Sequence, residues 1–385
     1  MIDYLFVLGK NLELSLAELN AYFETNDYNQ KLIEKTQNFV VFRFERVLDN
    51  IIDHLGGTIK IVKVEKMIPV SKSIEGELGN LIQKNIEAKY FGISLYPESE
   101  VHNSHFNLAK KLSMYVKKKT GLKFLPYSRN RKFPELTHVE VIKKRLIEDS
   151  FEIVIGIGKK KYLGKTTQIH NPFEFKKRDV DRPKQRPMFS ISPRLSKIMI
   201  NLSQCKPGQN LLDPFCGFGT IIQEALLEKI DAKGIDIDEM VVNSARDNLK
   251  WLNDEYDLKL REVDKKIIRG DARKLSDYFP EESFNTIVTE PYLGPPLSKH
   301  VHLKEAEQII DDLKSLFQEI FEELSKIVKS NGKIIIIIPS IRTKIKNVKM
   351  NTDFIKRCGF FVENSFMDFD NRHRTLREIY VIKKN

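Results

Sequence analysis

The stretch Asn210-Leu211-Leu212-Asp213-Pro214-Phe215-Cys216-Gly217-Phe218-Gly219-Thr220 constrains this chain more than any other. A short apolar run reaches an acid, a Gly-x-Gly turn follows, and an apolar helix is predicted from Ile221 to Leu227. That order describes a strand ending in a tight turn that feeds a helix, where a ligand can lie against bare backbone. A dinucleotide fingerprint wants a third glycine near Ile222, and none is there. A second strand ends at Gly234-Ile235-Asp236, with a carboxylate where a ribose diol is gripped. Gly270-Asp271-Ala272 and Thr289-Glu290-Pro291-Tyr292 then each follow an apolar strand, Lys266 to Arg269 and Thr286 to Val288.

Four short motifs at four successive strand ends, in this order, resemble an S-adenosylmethionine-dependent methyltransferase domain. The surrounding pattern agrees with the α/β, Rossmann-like fold this implies. Strands at Leu211–Leu212, Lys233–Ile235 and Lys333–Ile338 alternate with helices at Glu239–Leu252 and Glu305–Val328, which predicts a parallel, doubly wound sheet. The unbroken Ile334–Ile338 run suits a strand buried on both faces. A helix over Asn351–Cys358 and a terminal hairpin of Phe360–Ser365 with Ile379–Lys383 complete it. Ligands of such sheets bind at the carboxyl ends of the strands. Gly217 and Gly219 would admit the methionine part of the cofactor, and Asp213 would hold its ammonium. Asp236 would accept the ribose hydroxyls and Asp271 the adenine amine. Phe215, Thr220, Ile237 and Ala272 flank these positions and complete the expected cofactor-binding set. Cys216 sits in the turn with no histidine nearby and reads as a small packing residue, not a nucleophile.

Thr289, Glu290, Pro291 and Tyr292 form the expected catalytic loop. The lone pair of an exocyclic amine is delocalised into its ring, so the chemistry needs acceptors for the amine hydrogens and an aromatic face for the flipped base. Tyr292 offers the face, Glu290 or Thr289 the acceptor, and Pro291 stiffens the turn without adding a competing donor.

At 385 residues the chain is long enough for two or three domains. Residues 1–55 read as a small α+β unit, with strands at Tyr4–Leu8 and Phe39–Phe44 around a helix at Ser15–Phe23. Residues 56–165 read as a second module. It has helices at Gly76–Ala88 and Asn107–Thr120, and strands at Tyr90–Tyr96, Thr137–Ile142 and Phe151–Ile157. Prolines and basic runs mark 166–190 as a linker, and 191–385 as the methyltransferase domain, opened by Ser192 as N-cap and Pro193 as first helical residue. The net charge of +11 favours a polyanionic partner. Lys117, Lys118, Lys119, Lys123, Tyr127, Arg129, Arg131 and Lys132 interleave cations with aromatics as an RNA-binding stretch would. No apolar run approaches the ~20 residues of a membrane span, and the first residues lack a signal-peptide pattern. Three scattered cysteines show no metal-binding spacing. A cytoplasmic protein with no membrane contact and no metal of its own is expected.

The chain also resembles, end to end, the archaeal and eukaryotic tRNA guanosine-10 N2-methyltransferases. The resemblance is carried by Asp213 through Gly219, by Gly234-Ile235-Asp236-Ile237-Asp238, and by Arg186-Pro187, Ser192-Pro193-Arg194-Leu195 and Asn201-Leu202 upstream. It implies a ferredoxin-like unit at 1–55, and at 56–165 a THUMP domain that captures the 3′ end of tRNA. It also implies S-adenosylmethionine as cofactor, tRNA as partner and N2-methylation of a guanosine at position 10. Some members of that family need a small zinc-containing activator protein. Their catalytic loop reads Asp-Pro-Pro-Tyr. Here Thr289, Glu290, Pro291 and Tyr292 align, so the acid moves by one position and the first proline is lost. Either Glu290 restores the carboxylate, or backbone carbonyls accept with help from Thr289. The alternatives are a methyltransferase for another RNA guanosine or nucleic-acid amine, and a non-catalytic RNA-binding protein with a degenerate domain.

Overall fold

The computed structural model describes residues 1–82, 88–98, 103–127, 132–185, 191–297, 301–368 and 374–385. Arg129, Arg131 and the Arg186-Pro187 pair lie outside them. The chain divides into two units: Met1–Leu16 with Asn26–Glu174, and Ala17–Thr25 with Phe175–Asn385.

In the first unit, β1 (Ile2–Leu8), β2 (Gln30–Lys35), β3 (Phe39–Phe44), β4 (Thr58–Pro69), β5 (Tyr90–Pro97), β6 (Lys123–Phe124), β7 (Phe151–Ile157) and β8 (Lys160–Ile169) share one mixed sheet. Among the described residues its order is β2-β3-β1-β4-β8-β7-β5-β6. β1 runs antiparallel to both β3 and β4, so the hydrogen bonding has no break at residue 55. Helices α2 (Glu75–Ile82), α3 (Asn103–Thr120) and α4 (His138–Lys143) punctuate it, while α1 (Leu12–Thr25) and α5 (Pro172–Asp179) begin in this unit and end in the second. On α3, Ala109, Leu112 and Val116 recur at helical spacing and are fully buried in one apolar cluster with Phe91, Ile93 and Ile153 of the sheet.

Two expectations fail here. Thr137–Ile142 is not a strand, because His138–Lys143 is helical. The Thr137 hydroxyl accepts from the Glu140 amide at 3.0 Å, and the Glu140 carboxylate accepts from the Thr137 amide at 2.7 Å. That capping box outweighs the strand-like alternation of Val139 and Val141. The 166–190 segment is not wholly linker: β8 runs to Ile169 between β4 and β7, and α5 follows.

The second unit follows the alternation. β9 (Asn210–Asp213), β10 (Asp231–Asp236), β11 (Ile267–Arg269), β12 (Phe284–Thr289) and β13 (Val328–Arg342) are parallel neighbours. β14 (Asn347–Lys349) pairs with β13, and β15 (Phe360–Asp368) and β16 (Thr375–Lys384) make the antiparallel edge. The order is β11-β10-β9-β12-β13-β16-β15. Between these strands come α6 (Pro193–Ser203), α7 (Thr220–Leu227), α8 (Glu239–Glu255), α9 (Leu303–Ile327) and α10 (Asp353–Arg357). Ser192 caps α6, its hydroxyl accepting from the Leu195 amide, with Pro193 in the first turn. Ile334 through Ile338 are at most 2% exposed. On α9, Ile310, Leu313, Phe317, Ile320 and Leu324 join the same core, each such burial contributing about 1.5–3 kcal/mol. This is the Rossmann-like α/β fold. Strand order reverses at β9, with β10 on one side and β12 on the other, and that reversal opens a crevice beyond the carboxyl ends.

Candidate active site

Local backbone chemistry builds the crevice. Gly217 (φ +51°) and Gly219 (φ +82°) take left-handed conformations that other residues adopt only with strain, so the chain folds back at once into α7. The Gly217 amide donates to Asp236 Oδ2 at 3.0 Å, and the Asp238 amide donates to Asp236 Oδ1 at 3.0 Å. The tips of β9 and β10 are thereby tied together. A Cβ on Gly234 would meet the Cys216 Cβ at 2.6 Å, so β10 approaches the turn too closely for a side chain. Cys216 is buried there and burial pushes its thiol well up, which fits packing and not nucleophilic attack.

Asp213 closes β9 and is 1% exposed. Its Oδ1 accepts from the Phe215 amide at 3.1 Å and from the Thr289 hydroxyl at 2.6 Å. Burial pushes its carboxyl up to about 7; the two hydrogen bonds oppose that rise, and the carboxylates of Asp236 and Glu290 add to it. Asp236 is raised too, again chiefly by burial. A cavity of about 250 Å³ lies here, lined by Asp213, Asp236, Asp238 and Glu290 together with Phe215, Gly217, Thr220 and Ile191. Among the described residues, Asp213 and Asp236 have no cation paired with them, which favours a cationic ligand, and the bare glycine turn leaves room beside them. The donor set fits the charged end of S-adenosylmethionine.

The other expected residues are distributed unevenly. Ile237 is exposed beside Asp236. Asp271 stands at the end of β11, next to β10, but outside the cavity lining; its carboxylate accepts from the Arg273 amide at 2.9 Å and from Arg273 Nη2 at 2.7 Å. That guanidinium holds the Asp271 carboxyl below its usual value. Ala272 is buried in the core. Thr289, at the end of β12, is fully buried, and its hydroxyl proton goes to Asp213. Glu290 faces the cavity and accepts from Arg377 Nε at 2.5 Å and Arg377 Nη2 at 3.2 Å. Pro291 is buried, and Tyr292 stands 57% exposed. Arg377 and Ile191 were absent from the sequence reading. Arg377 lies 87 residues from Glu290, and its only signal is its place in the alternation of β16.

In the first unit, Lys117, Lys118 and Lys119 crown the last turn of α3, exposed, with Lys123 and Lys132 exposed nearby in sequence. Tyr127 differs: its hydroxyl donates to the Phe106 carbonyl at 3.3 Å, and its ring packs edge-on against Phe106 and Phe124. It takes part in the local packing. Among the described residues, no group of three His, Cys, Asp or Glu is arranged to hold a metal ion, and no helix is long and apolar enough to cross a membrane.

Comparison with known proteins agrees with this geometry. The UPF0020 family model, described as an RMKL-like methyltransferase domain, matches residues 182–365. A tRNA (guanine(10)-N2)-dimethyltransferase of Methanothermobacter thermautotrophicus is 41% identical over 116 residues, 29% of this chain and 31% of that protein. A probable tRNA (guanine(10)-N2)-dimethyltransferase of Methanothermococcus thermolithotrophicus is 30% identical over 143 residues, 37% of this chain and 77% of that protein. The matches to the first three curated relatives span 31%, 56% and 47% of their lengths. The crystal structure of TrmN from Thermus thermophilus shares the fold over all of both chains, at a TM-score of 0.60 and 18% identity. The chain belongs to the family of the tRNA guanosine-10 N2-methyltransferases.

Proposed function

We propose that this chain methylates the N2 amine of a guanosine in tRNA, with S-adenosylmethionine as donor and position 10 as target. One observation carries the reading. The crevice beyond β9, β10 and β12 combines a bare glycine turn with three buried or half-buried carboxylates, and Tyr292, two residues on from Glu290, stands exposed outside the cavity lining. Bound there, S-adenosylmethionine supplies a methyl group activated by a sulfonium, whose bonding electron pair stays with sulfur when the methyl leaves. Tyr292 stacks the flipped base. A cavity-facing acceptor takes one amine hydrogen and turns the nitrogen lone pair outward. It then receives the proton that the methylated nitrogen sheds. One side-chain acceptor suffices for a second round, because a singly methylated amine keeps one hydrogen. That suits the dimethyltransferases named among the relatives.

Residues 56–165 would serve as the THUMP module on the ferredoxin-like segment 1–55, with the exposed lysines of α3 on tRNA phosphates. The protein would work in the cytoplasm, and a small zinc-containing activator is a candidate partner.

The test is methyl transfer from labelled cofactor to unmodified tRNA, followed by nucleoside analysis. The expected products are 2-methylguanosine and its dimethyl form. Tyr292→Ala should lose most of the transfer while keeping tRNA affinity; full activity in that variant would remove the stacking role. Incorporation into adenosine would overturn the target assignment.

A further inference from the structure

Thr289 and Glu290 compete in the sequence for the place of the family's acid, and the geometry separates them. Thr289 is fully buried and outside the cavity lining, with its one hydroxyl proton committed to Asp213 Oδ1 at 2.6 Å. Its oxygen is walled off from any base that enters the cavity. Glu290 is the loop residue that lines the cavity. Its carboxylate does not swing freely, because Arg377 reaches it from β16 with Nε on one oxygen and Nη2 on the other.

We infer that Arg377 is a positioning residue for the reaction: its planar fork fixes Glu290 as the acceptor for the target amine, while Thr289 serves Asp213 instead. This rests on the methyl-transfer reading above. The donor face supports it. A carboxylate has about four acceptor sites on two oxygens, and a bidentate guanidinium uses one on each. The remaining sites stay available to a base in the cavity. The anchoring supports it as well. Arg377 is paired in register with Pro339 of β13 and Asp368 of β15, so its backbone is held on both sides. A rigid strand holds a side chain more closely than a loop does. Glu290 sits on a loop at the end of β12 and needs that external hold.

The chemistry closes without another reactant. The amine nitrogen, one hydrogen held by Glu290, gives its lone pair to the methyl carbon of S-adenosylmethionine. The carbon–sulfur pair returns to sulfur and leaves a neutral thioether. The positive charge appears on nitrogen, which releases one proton to Glu290 and from there to solvent. Lysine at 377 keeps the charge but loses the fork, so it should hold the acceptor only in part.

The experiment compares the full-length wild type with Arg377→Gln, Arg377→Lys, Glu290→Gln and the double variant Arg377→Gln/Glu290→Gln. Each is followed by kcat and KM with unmodified tRNA, by calorimetry with S-adenosylhomocysteine and by thermal unfolding. Anisotropy then compares binding to tRNA bearing guanosine with tRNA bearing inosine at the methylated position. Glu290→Gln should lower kcat about 10²–10³-fold, as loss of one oriented polar group does. Arg377→Gln should lower kcat at least about tenfold with affinity for S-adenosylhomocysteine unchanged, and Arg377→Lys should recover part of it. The double variant should be no slower than Glu290→Gln alone. Wild type should prefer guanosine over inosine, and both glutamine variants should lose that preference. Losses that multiply in the double variant, or an Arg377→Gln that shifts only the melting temperature, would overturn the inference while leaving the methyl-transfer reading intact. A wild type that binds S-adenosylhomocysteine yet methylates no tRNA would remove both.

Discussion

Both units bury charge in paired networks, such as Arg178 and Lys197 around Glu224 in the second, but the site cavity of the second differs from the buried pair of the first. In the first, Lys60 and Glu152 are at most 1% exposed and 2.5 Å apart. Ser94 and Thr166 donate to the same carboxylate at 2.6 and 2.5 Å, and Lys60 also reaches the Leu136 carbonyl at 2.7 Å. Cation, anion and hydroxyls complete one another within the sheet. At the strand ends of the second, Asp213, Asp236 and Glu290 converge on one cavity, where Arg377 pairs with Glu290. Among the described residues, Asp213 has a hydroxyl and an amide to set against its burial. A complete network needs no ligand, whereas same-sign charges left short of a counter-charge destabilise the protein until one arrives. Local conflict of the second kind is expected where a protein works on something else.

The largest test of that contrast is Lys60→Met. It strands a buried carboxylate and should cost about 3–5 kcal/mol of stability. Lys60→Met/Glu152→Leu should return most of it, because the pair is then replaced by apolar packing. Circular dichroism melts of the three proteins measure this, and a Lys60→Met variant as stable as wild type would mean the network is incidental. Asp213→Asn should behave in the reverse sense. Both hydrogen bonds to Asp213 end on Oδ1, which asparagine retains. Removing the charge should leave the melting temperature unchanged or higher, while affinity for S-adenosylmethionine drops roughly 10²-fold, about 2.7 kcal/mol. A destabilised Asp213→Asn that binds normally would reverse the comparison.

The same contrast explains which features were legible in the sequence. The second unit was readable because its strands are apolar runs and its cavity-lining acids sit at their ends, as at Asp213, Asp236 and Glu290. The crowding of carboxylates follows from those positions. The first unit hides its strands. β8 carries Thr166 and Gln168 inward, each bonded to groups outside the strand, so its buried face reads as polar and its last residues read as linker. α4 was missed because its alternating valines outweighed the Thr137–Glu140 capping pair in the reading. Within the site, Thr289 and Glu290 were found together but could not be told apart. The difference lies in which way each side chain turns, and it is set by partners 76 and 87 residues away. No local pattern encodes such pairings.

A smaller effect concerns the basic stretch of the first unit. Replacing Lys117, Lys118 and Lys119 with glutamine should weaken tRNA binding by roughly 1.5–2 kcal/mol at low salt and flatten its salt dependence. Tyr127→Ala should instead lower stability, because its ring packs against Phe106 and Phe124. Filter binding across a salt series, with a melt of each variant, distinguishes the two. An unchanged salt slope in the lysine variant would move the RNA-binding face elsewhere.

The smallest effect comes from proton linkage at the cavity. The Asp213 carboxyl is raised from its ordinary value to about 7, chiefly by burial. A raised folded-state value means that, between about pH 4 and 7, the native chain holds a proton that the unfolded chain has released. The contribution of this group to stability is therefore greatest at low pH and falls as pH climbs through 7. A cationic ligand reverses the preference, because it favours the carboxylate. Its binding should expel a proton below pH 7, and its affinity should weaken by no more than about tenfold per pH unit as the solution is acidified from there. Calorimetry with S-adenosylmethionine in two buffers of different ionisation heat reads the proton directly. The uncharged thioether product should release less of it, and Asp213→Asn should abolish the release. Equal proton release by both ligands would show that the carboxylate does not meet the sulfonium or respond to its charge, and the cavity would then be shaped for the parts the two ligands share.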